Sequence, residues 1–196
     1  MREPLPLATI HDALLEFLRG RDDAVLFGAH AVNAYVEEPR MTQDVDVLST
    51  RAAELAEEVR SYLAQRFTMA VRVRVVADGK GFRVFQLRKP KNRRLADVRQ
   101  VPAFPPFQRV FEVSVPLVEE LIAQKIISYA SRQDKPKGDT DRRDLKMLLL
   151  AHPQLKTETG LVADRLREDK ADPRAVEEWR RLVASRILPE DDEDGY

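Results

Sequence analysis

Two aspartates interrupt an apolar segment, "MTQDVDVL" at residues 41–48, and this feature constrains the fold more than any other. The alternation of Val45 and Val47 with Asp44 and Asp46 predicts a strand with one buried face. Side chains two positions apart on a strand point the same way. Neighbouring carboxylates repel each other and are costly to remove from water. The fold must therefore leave this face open to water or place a positive group between the two carboxylates.

Helical and β-type patterns alternate as far as Phe67, and several β-type segments then follow one another up to residue 115. Helical spacing occurs in "LATIHDALLEFLRG", with Thr9 as the expected N-cap, and in "AHAVNAYVEE" and "TRAAELAEEVRSYLAQRF". The β-type segments are "AVLFG", "DVDVLS", "MAVRVRVVA", "GFRVFQLRK", "RRLADVRQV" and "RVFEVSV". This order predicts an α+β fold with a mixed sheet and flanking helices.

From Pro116 onward the patterns are helical only. We expect a polar loop, "QDKPKGDT", before a helix that starts at "DRRDLKMLLLAH", and a further helix start at Asp172–Pro173. The predicted organisation is an α/β core at residues 1–115, a helical region at 116–188 and an acidic tail at 189–196.

Composition excludes several classes of protein. The chain has no cysteine, so it has neither disulfides nor thiolate metal sites. Its 33 basic and 33 acidic residues balance, which predicts no global attraction to nucleic acid or to an anionic membrane. It lacks a signal-peptide pattern and a segment apolar enough to span a membrane, so we expect a cytoplasmic protein with no membrane partner.

Three features indicate phosphate and metal chemistry. Gly28 ends an apolar strand directly before a helix, where free backbone N–H groups and the positive helix end attract phosphate. Asp44 and Asp46 together offer the oxygen ligands that Mg²⁺ prefers. Asp97, in the apolar segment "RLADVRQV", would complete a clamp for two metal ions if its strand lies beside theirs.

The segment "LFGAHAVNAYVEEPRMTQDVDVL" resembles the first motif of the DNA polymerase β-type nucleotidyltransferase superfamily. Arg40, Thr42, Asp44 and Asp46 match the "R-x-T-x-D-x-D" form of its AbiEii/MenT-like toxin branch. Lys125 in "LIAQKIISYASR", and Asp141 and Asp144 in "DRRDL", match later motifs of that branch. Ala29 departs from the family's serine or glycine and supplies no hydroxyl, but backbone contacts to phosphate survive that change.

The resemblance implies transfer of a nucleoside monophosphate from an NTP to an acceptor hydroxyl, with Mg²⁺ or Mn²⁺ as cofactor. The metal ligands would be Asp44, Asp46 and Asp97, and Lys125 would pair with the triphosphate. Residues expected around the nucleotide are Gly28, Ala29, Arg40, Thr42, Asp141 and Asp144.

Each of these residues also has a purely structural interpretation. The Asp44–Asp46 pair would suit a solvated strand face, and Asp97 would suit pairing with nearby arginines. Lys125 would suit a helix residue that extends its amine to the surface. Asp141 and Asp144 would suit the first turn of a helix, where acids favour the dipole.

A basic segment precedes and follows Asp97. The residues expected to form a nucleic-acid patch are Arg72, Arg74, Arg88, Lys89, Arg93 and Arg94. This basic patch would suit an RNA backbone or, structurally, charged strand edges that deter aggregation. The resemblance implies a tRNA 3′ end as acceptor, a toxin role and a cognate antitoxin protein as partner. Alternatives are nucleotidylation of a small molecule, as in aminoglycoside-modifying relatives, and non-catalytic nucleotide or RNA binding on the same fold.

Overall fold

The computed structural model describes residues 5–189, and the chain divides into two compact units. The first unit contains the described residues up to Ala34 together with Pro39–Leu117. The second contains Tyr35–Glu38 and the described residues from Val118 onward. The predicted acidic tail lies, apart from Pro189, outside the described residues.

The first unit holds a sheet, a hairpin and three helices. The helices are α1 (Leu7–Leu18), α2 (Gly28–Asn33) and α3 (Ala52–Phe67). The strands are β1 (Val25–Phe27), β2 (Val45–Ser49), β3 (Val71–Val76), β4 (Gly81–Gln86), β5 (Arg93–Gln100), β6 (Phe107–Val110) and β7 (Val113–Pro116). A 3-10 turn, Ala77–Gly79, joins β3 to β4.

The five-stranded sheet has the order β1-β2-β5-β4-β3. β2 runs parallel to β5, and every other neighbouring pair in this sheet is antiparallel. α3 packs against β3, β4 and β5. The core there includes Leu55 and Leu63 of α3 and Val84 and Val98 of the sheet, all buried. The predicted mixed sheet with flanking helices is confirmed.

The second unit is helical. Its elements are α4 (Val118–Ala130), α5 (Pro136–Ala151), α6 (Leu161–Glu168) and α7 (Pro173–Ala184), with a 3-10 turn at Pro153–Leu155. α4 packs against α5, α6 and α7. The Asp172 side chain accepts a hydrogen bond of 2.8 Å from the Arg174 backbone and caps α7, as predicted. Among residues 5–189, no helix combines the length and the apolarity needed to cross a bilayer.

Two helix starts differ from prediction. α1 begins at Leu7 after Pro6, so Thr9 lies inside the first turn and does not cap it. α5 begins at Pro136, where proline's missing N–H costs nothing, rather than at Asp141. Gly138 lies within this helix. The residue must be glycine because a Cβ there would collide with the Arg132 carbonyl. Asp141 and Asp144 are therefore not first-turn acids.

Two other segments also differ from prediction. α2 ends at Asn33 rather than before Pro39, because the Asn33 side chain binds the backbone N–H and C=O of Arg40. "RVFEVSV" is not one strand: Phe111 and Glu112 adopt positive φ angles and form the turn of the β6–β7 hairpin.

Candidate metal centre

The structure brings Asp44, Asp46 and Asp97 together. Asp46 pairs directly with Asp97 across the parallel β2–β5 ladder, and Asp44 directly precedes β2. Each of the three offers a carboxylate oxygen, and these oxygens lie within 4.8 Å of one another. Asp97 is buried, and the other two are partly exposed. This cluster, called the triad below, presents the hard oxygen donors that suit Mg²⁺ or Mn²⁺.

Gly28 lies against the triad at the start of α2. Its φ of +65° lies in the left-handed region that side chains disfavour. A Cβ at this position would also lie closer to Asp46 Oδ2 than the 3.0 Å that real Cβ atoms respect. Asp46 thus occupies space that only glycine leaves free. The Ala29 side chain is buried, so this position contributes backbone and no exposed side chain.

Two α2 side chains hold the segment that leads into Asp44. Asn33 Nδ2 donates to the Arg40 carbonyl at 2.9 Å, and the Arg40 N–H donates to Asn33 Oδ1 at 3.1 Å. One helical turn earlier, His30 Nδ1 lies 3.3 Å from Thr42 Oγ1, which in turn donates to the Asp44 carbonyl at 3.2 Å. Thr42 and Arg40, expected near the nucleotide, thus also fix the loop that positions Asp44.

His30 is neutral at physiological pH. Burial lowers its pKa to about 4, and the neighbouring His11 and Arg40 side chains act in the same direction, since a charge on either would repel a protonated ring. Its ring contacts that of His11 edge-to-face at 5.1 Å. Burial also lowers the pKa of His11. The two rings are therefore neutral packing and hydrogen-bonding groups beside the loop.

Two arginines place positive charge beside the carboxylates of the triad. Arg94 Nε lies 2.6 Å from Asp44 Oδ2. Arg83 Nε lies 3.5 Å from Asp97 Oδ2 and pairs with Asp97 across β4 and β5. Asp97 thus takes part in both of the arrangements that sequence allowed, the carboxylate cluster and an arginine pair.

The other members of the basic patch have different surroundings. Arg74 pairs with Arg83 across β3 and β4, which places it in the same transverse row as Asp97 and Asp46. Arg72 lies two residues before Arg74 on β3, so it faces the same way.

Only part of the patch therefore shares a sheet face with the triad. Arg93 donates to the Leu5 carbonyl at 2.9 Å, and burial lowers its pKa. Arg88 and Lys89 lie in the loop between β4 and β5.

Lys125, Asp141 and Asp144 meet in the second unit. All three are buried, and Lys125 Nζ lies 2.6 Å from Asp144 Oδ2 and 3.2 Å from Asp141 Oδ1. Arg132 also pairs with Asp141, at 2.5 Å. Buried charges require such partners, so Lys125 is not a residue that extends its amine to the surface.

Sequence reasoning missed two residues around the triad, Arg83 and Asn33. Arg83 was recognisable only as one of many basic residues, since its contact depends on strand register. Asn33 carried a usable signal: it lies three residues after His30 on a short helix, and such side chains share a face.

Comparison with known proteins identifies the fold. No protein-family model and no curated protein matches this sequence. Among solved structures, the Megavirus polyadenylate synthase superposes with a TM-score of 0.59 at 10% identity over 75% of this chain. The chain spans 32% of that protein's length.

Two smaller proteins are similar over almost the whole chain. JHP933 from Helicobacter pylori superposes with a TM-score of 0.57 at 15% identity, over 92% of this chain and 81% of its own. An antigenic nucleotidyltransferase-like protein from Paracoccidioides brasiliensis gives 0.50 at 19% identity, over 92% and 93%. The chain therefore has the fold of nucleotidyltransferase-like proteins, and its three clustered aspartates present oxygen donors that could hold a divalent cation.

Proposed function

We propose that this chain transfers a nucleoside monophosphate from an NTP to an acceptor hydroxyl and releases pyrophosphate. The observation that carries the proposal is the convergence of three carboxylates from two neighbouring strands beside Gly28, on this fold. The three oxygens within 4.8 Å satisfy the donor chemistry of a hard divalent cation.

Asp44, Asp46 and Asp97 would hold Mg²⁺ or Mn²⁺. Bound there, the cation would polarise the transferred phosphoryl group and lower the pKa of the attacking hydroxyl. The remaining work is positioning, which accounts for most of the catalysis of phosphoryl transfer. Asp97 would accept the acceptor's proton, and the backbone of Gly28 and Ala29 would face the triphosphate.

The roles proposed for Arg40, Thr42 and Lys125 follow the AbiEii/MenT-like resemblance. Their support in the structure is that both belong to the loop before Asp44, where the Arg40 N–H donates to Asn33 and the Thr42 hydroxyl donates to the Asp44 carbonyl. Lys125 would pair with the triphosphate as a point charge. Its salt bridges to Asp141 and Asp144 support a role for those two carboxylates in orienting the ammonium group.

We further propose RNA as the acceptor, specifically a tRNA 3′ end, and a toxin role with a cognate antitoxin. The support is the resemblance and the position of Arg72 and Arg74, which share a sheet face with the triad. Phosphate contacts by arginine provide sequence-independent, salt-sensitive affinity for RNA.

The test is incubation with each α-³²P-labelled NTP, Mg²⁺ and total tRNA. The proposal predicts labelled RNA and released pyrophosphate, both lost with Asp46→Asn and retained with the control Asp78→Asn, an exposed acid outside the triad. Unimpaired transfer by Asp46→Asn would place the active site elsewhere. Label on small molecules alone would establish the aminoglycoside-type alternative. Nucleotide binding without transfer to any acceptor would establish the non-catalytic one.

The RNA acceptor has its own test. Arg72→Gln combined with Arg74→Gln should weaken tRNA binding and flatten its salt dependence, while Arg60→Gln on α3 should not. If the salt dependence of tRNA binding is the same for the double variant and the wild-type protein, Arg72 and Arg74 do not bind RNA.

A further inference from the structure

We propose that Arg94 is a positioning residue that exchanges partners: a divalent cation displaces it from Asp44, and its freed guanidinium then holds the triphosphate. The inference rests on the proposed function and adds to it a competition built into the site. Arg94 would thus have two roles: it holds Asp44 while no metal is bound, and it contacts the substrate once the metal has bound.

A β-bulge places Arg94 beside the triad. Along β4 and β5 the pairing is regular from Gly81↔Arg99 to Val84↔Ala96, and then Phe85 pairs with Arg94 instead of Leu95. Leu95 is thus an extra residue in the ladder. In a regular strand, Arg94 and Asp97, three positions apart, would point to opposite faces. The inserted residue brings both onto one face, as bulges near active sites do when they redirect a side chain.

The resulting ion pair is short. Arg94 Nε lies 2.6 Å from Asp44 Oδ2, against 3.5 Å for Arg83 and Asp97. The Asp44 side chain is 12% exposed and that of Arg94 is 32% exposed, so the pair is only partly screened by water. Arg94 and a metal ion therefore compete for the same carboxylate.

Guanidinium chemistry determines where Arg94 goes when displaced. It remains charged at any physiological pH, and its planar fork matches phosphate oxygens bidentately. Its row on the sheet continues through Phe85 to Arg72, which adds positive charge on the same face. A triphosphate bound with the metal would be the nearest anion to receive it.

The proposed exchange of partners by Arg94 is tested by the affinities for Mn²⁺ and for an NTP analogue, which should change in opposite directions when Arg94 is replaced. In Arg94→Gln we expect Mn²⁺ to bind about tenfold more tightly, because its competitor is gone, and a non-hydrolysable NTP analogue to bind the Mn²⁺-loaded protein about tenfold more weakly. Calorimetry measures both constants. The control is Arg99→Gln, which removes a charge from the same face; Arg99 contacts the Phe27 ring and, within residues 5–189, forms no ion pair with a carboxylate. Less than a twofold change in Mn²⁺ affinity is expected.

The outcomes separate this inference from the proposed function. Weaker Mn²⁺ binding by Arg94→Gln would show that Arg94 only orders Asp44, and would overturn the inference. Tighter Mn²⁺ binding with unchanged analogue affinity would overturn the exchange to phosphate. An equal gain in Mn²⁺ affinity for Arg99→Gln would show that the effect comes from the loss of any positive charge on this face, and would overturn the inference. Absence of Mn²⁺ binding by the wild-type protein would overturn the proposed function, and the inference with it. Matching circular dichroism spectra and melting curves confirm that the variants fold.

Discussion

Gly28→Ala is the substitution with the most specific expected outcome. At φ +65° an alanine costs about 1–2 kcal/mol of stability relative to a right-handed conformation. Its Cβ would also lie inside 3.0 Å of Asp46 Oδ2, 3.2 Å from Cγ and 3.3 Å from Cβ of that residue. The whole Asp46 side chain must therefore withdraw, by about half an ångström or more. Metal–ligand distances tolerate only about 0.2 Å, so the variant should fold and yet lose divalent-cation binding.

Gly20→Ala is the matched control. Gly20 has a φ of +69°, and nothing lies within 4 Å of a Cβ built there, so this variant bears the backbone cost without the clash. Urea unfolding should show Gly28→Ala destabilised at least as much as Gly20→Ala, because only the former adds the clash, and Mn²⁺ calorimetry should show at least a tenfold loss for Gly28→Ala alone. Equal Mn²⁺ affinities for the two variants would refute the argument that Asp46 depends on Gly28.

Two further predictions concern buried titratable groups. The lowered pKa of His30 means that only the unfolded state gains this proton between pH 6.5 and about 4, so wild-type stability should fall over that window, by up to about 3 kcal/mol more than in His30→Gln. Urea unfolding at a series of pH values measures this. If the unfolding free energies of the wild-type protein and His30→Gln change with pH in parallel, the prediction is wrong. Lys125→Met leaves Asp141 and Asp144 without their shared ammonium and should cost about 3–5 kcal/mol. The exposed Lys146→Met should change stability by less than about 0.5 kcal/mol, and similar losses in both variants would contradict this account.

The triad was largely predictable because its signal is local. Asp44 and Asp46 alternate with buried valines on one strand, and a second apolar segment with a single acid supplied Asp97. The parallel pairing of β2 with β5 then sets Asp46 opposite Asp97. The mixed sheet and helical second half were likewise readable from the change in hydrophobic period.

Features that depend on tertiary contacts were not predictable. The contact between Arg94 and Asp44 requires an inserted residue, Leu95, that no turn or glycine signal marks. The hairpin turn at Phe111–Glu112 uses positive φ angles without glycine, so the segment looked like one strand.

The helix around Asp141 illustrates a related failure of local signals. Gly138 indicated a loop, but the close approach of the Arg132 backbone requires a glycine there within α5. Here the glycine marks a close backbone contact inside a helix and not a loop.

The central claim is that Asp44, Asp46 and Asp97 form a divalent-cation centre. Anomalous diffraction from crystals grown with Mn²⁺ and a non-hydrolysable NTP analogue tests it most directly. We expect a manganese peak within about 2.0–2.3 Å of oxygens from all three carboxylates, with the triphosphate bound beside it. A fully bound analogue without a manganese peak at these carboxylates, or with the metal held by other residues, would contradict it.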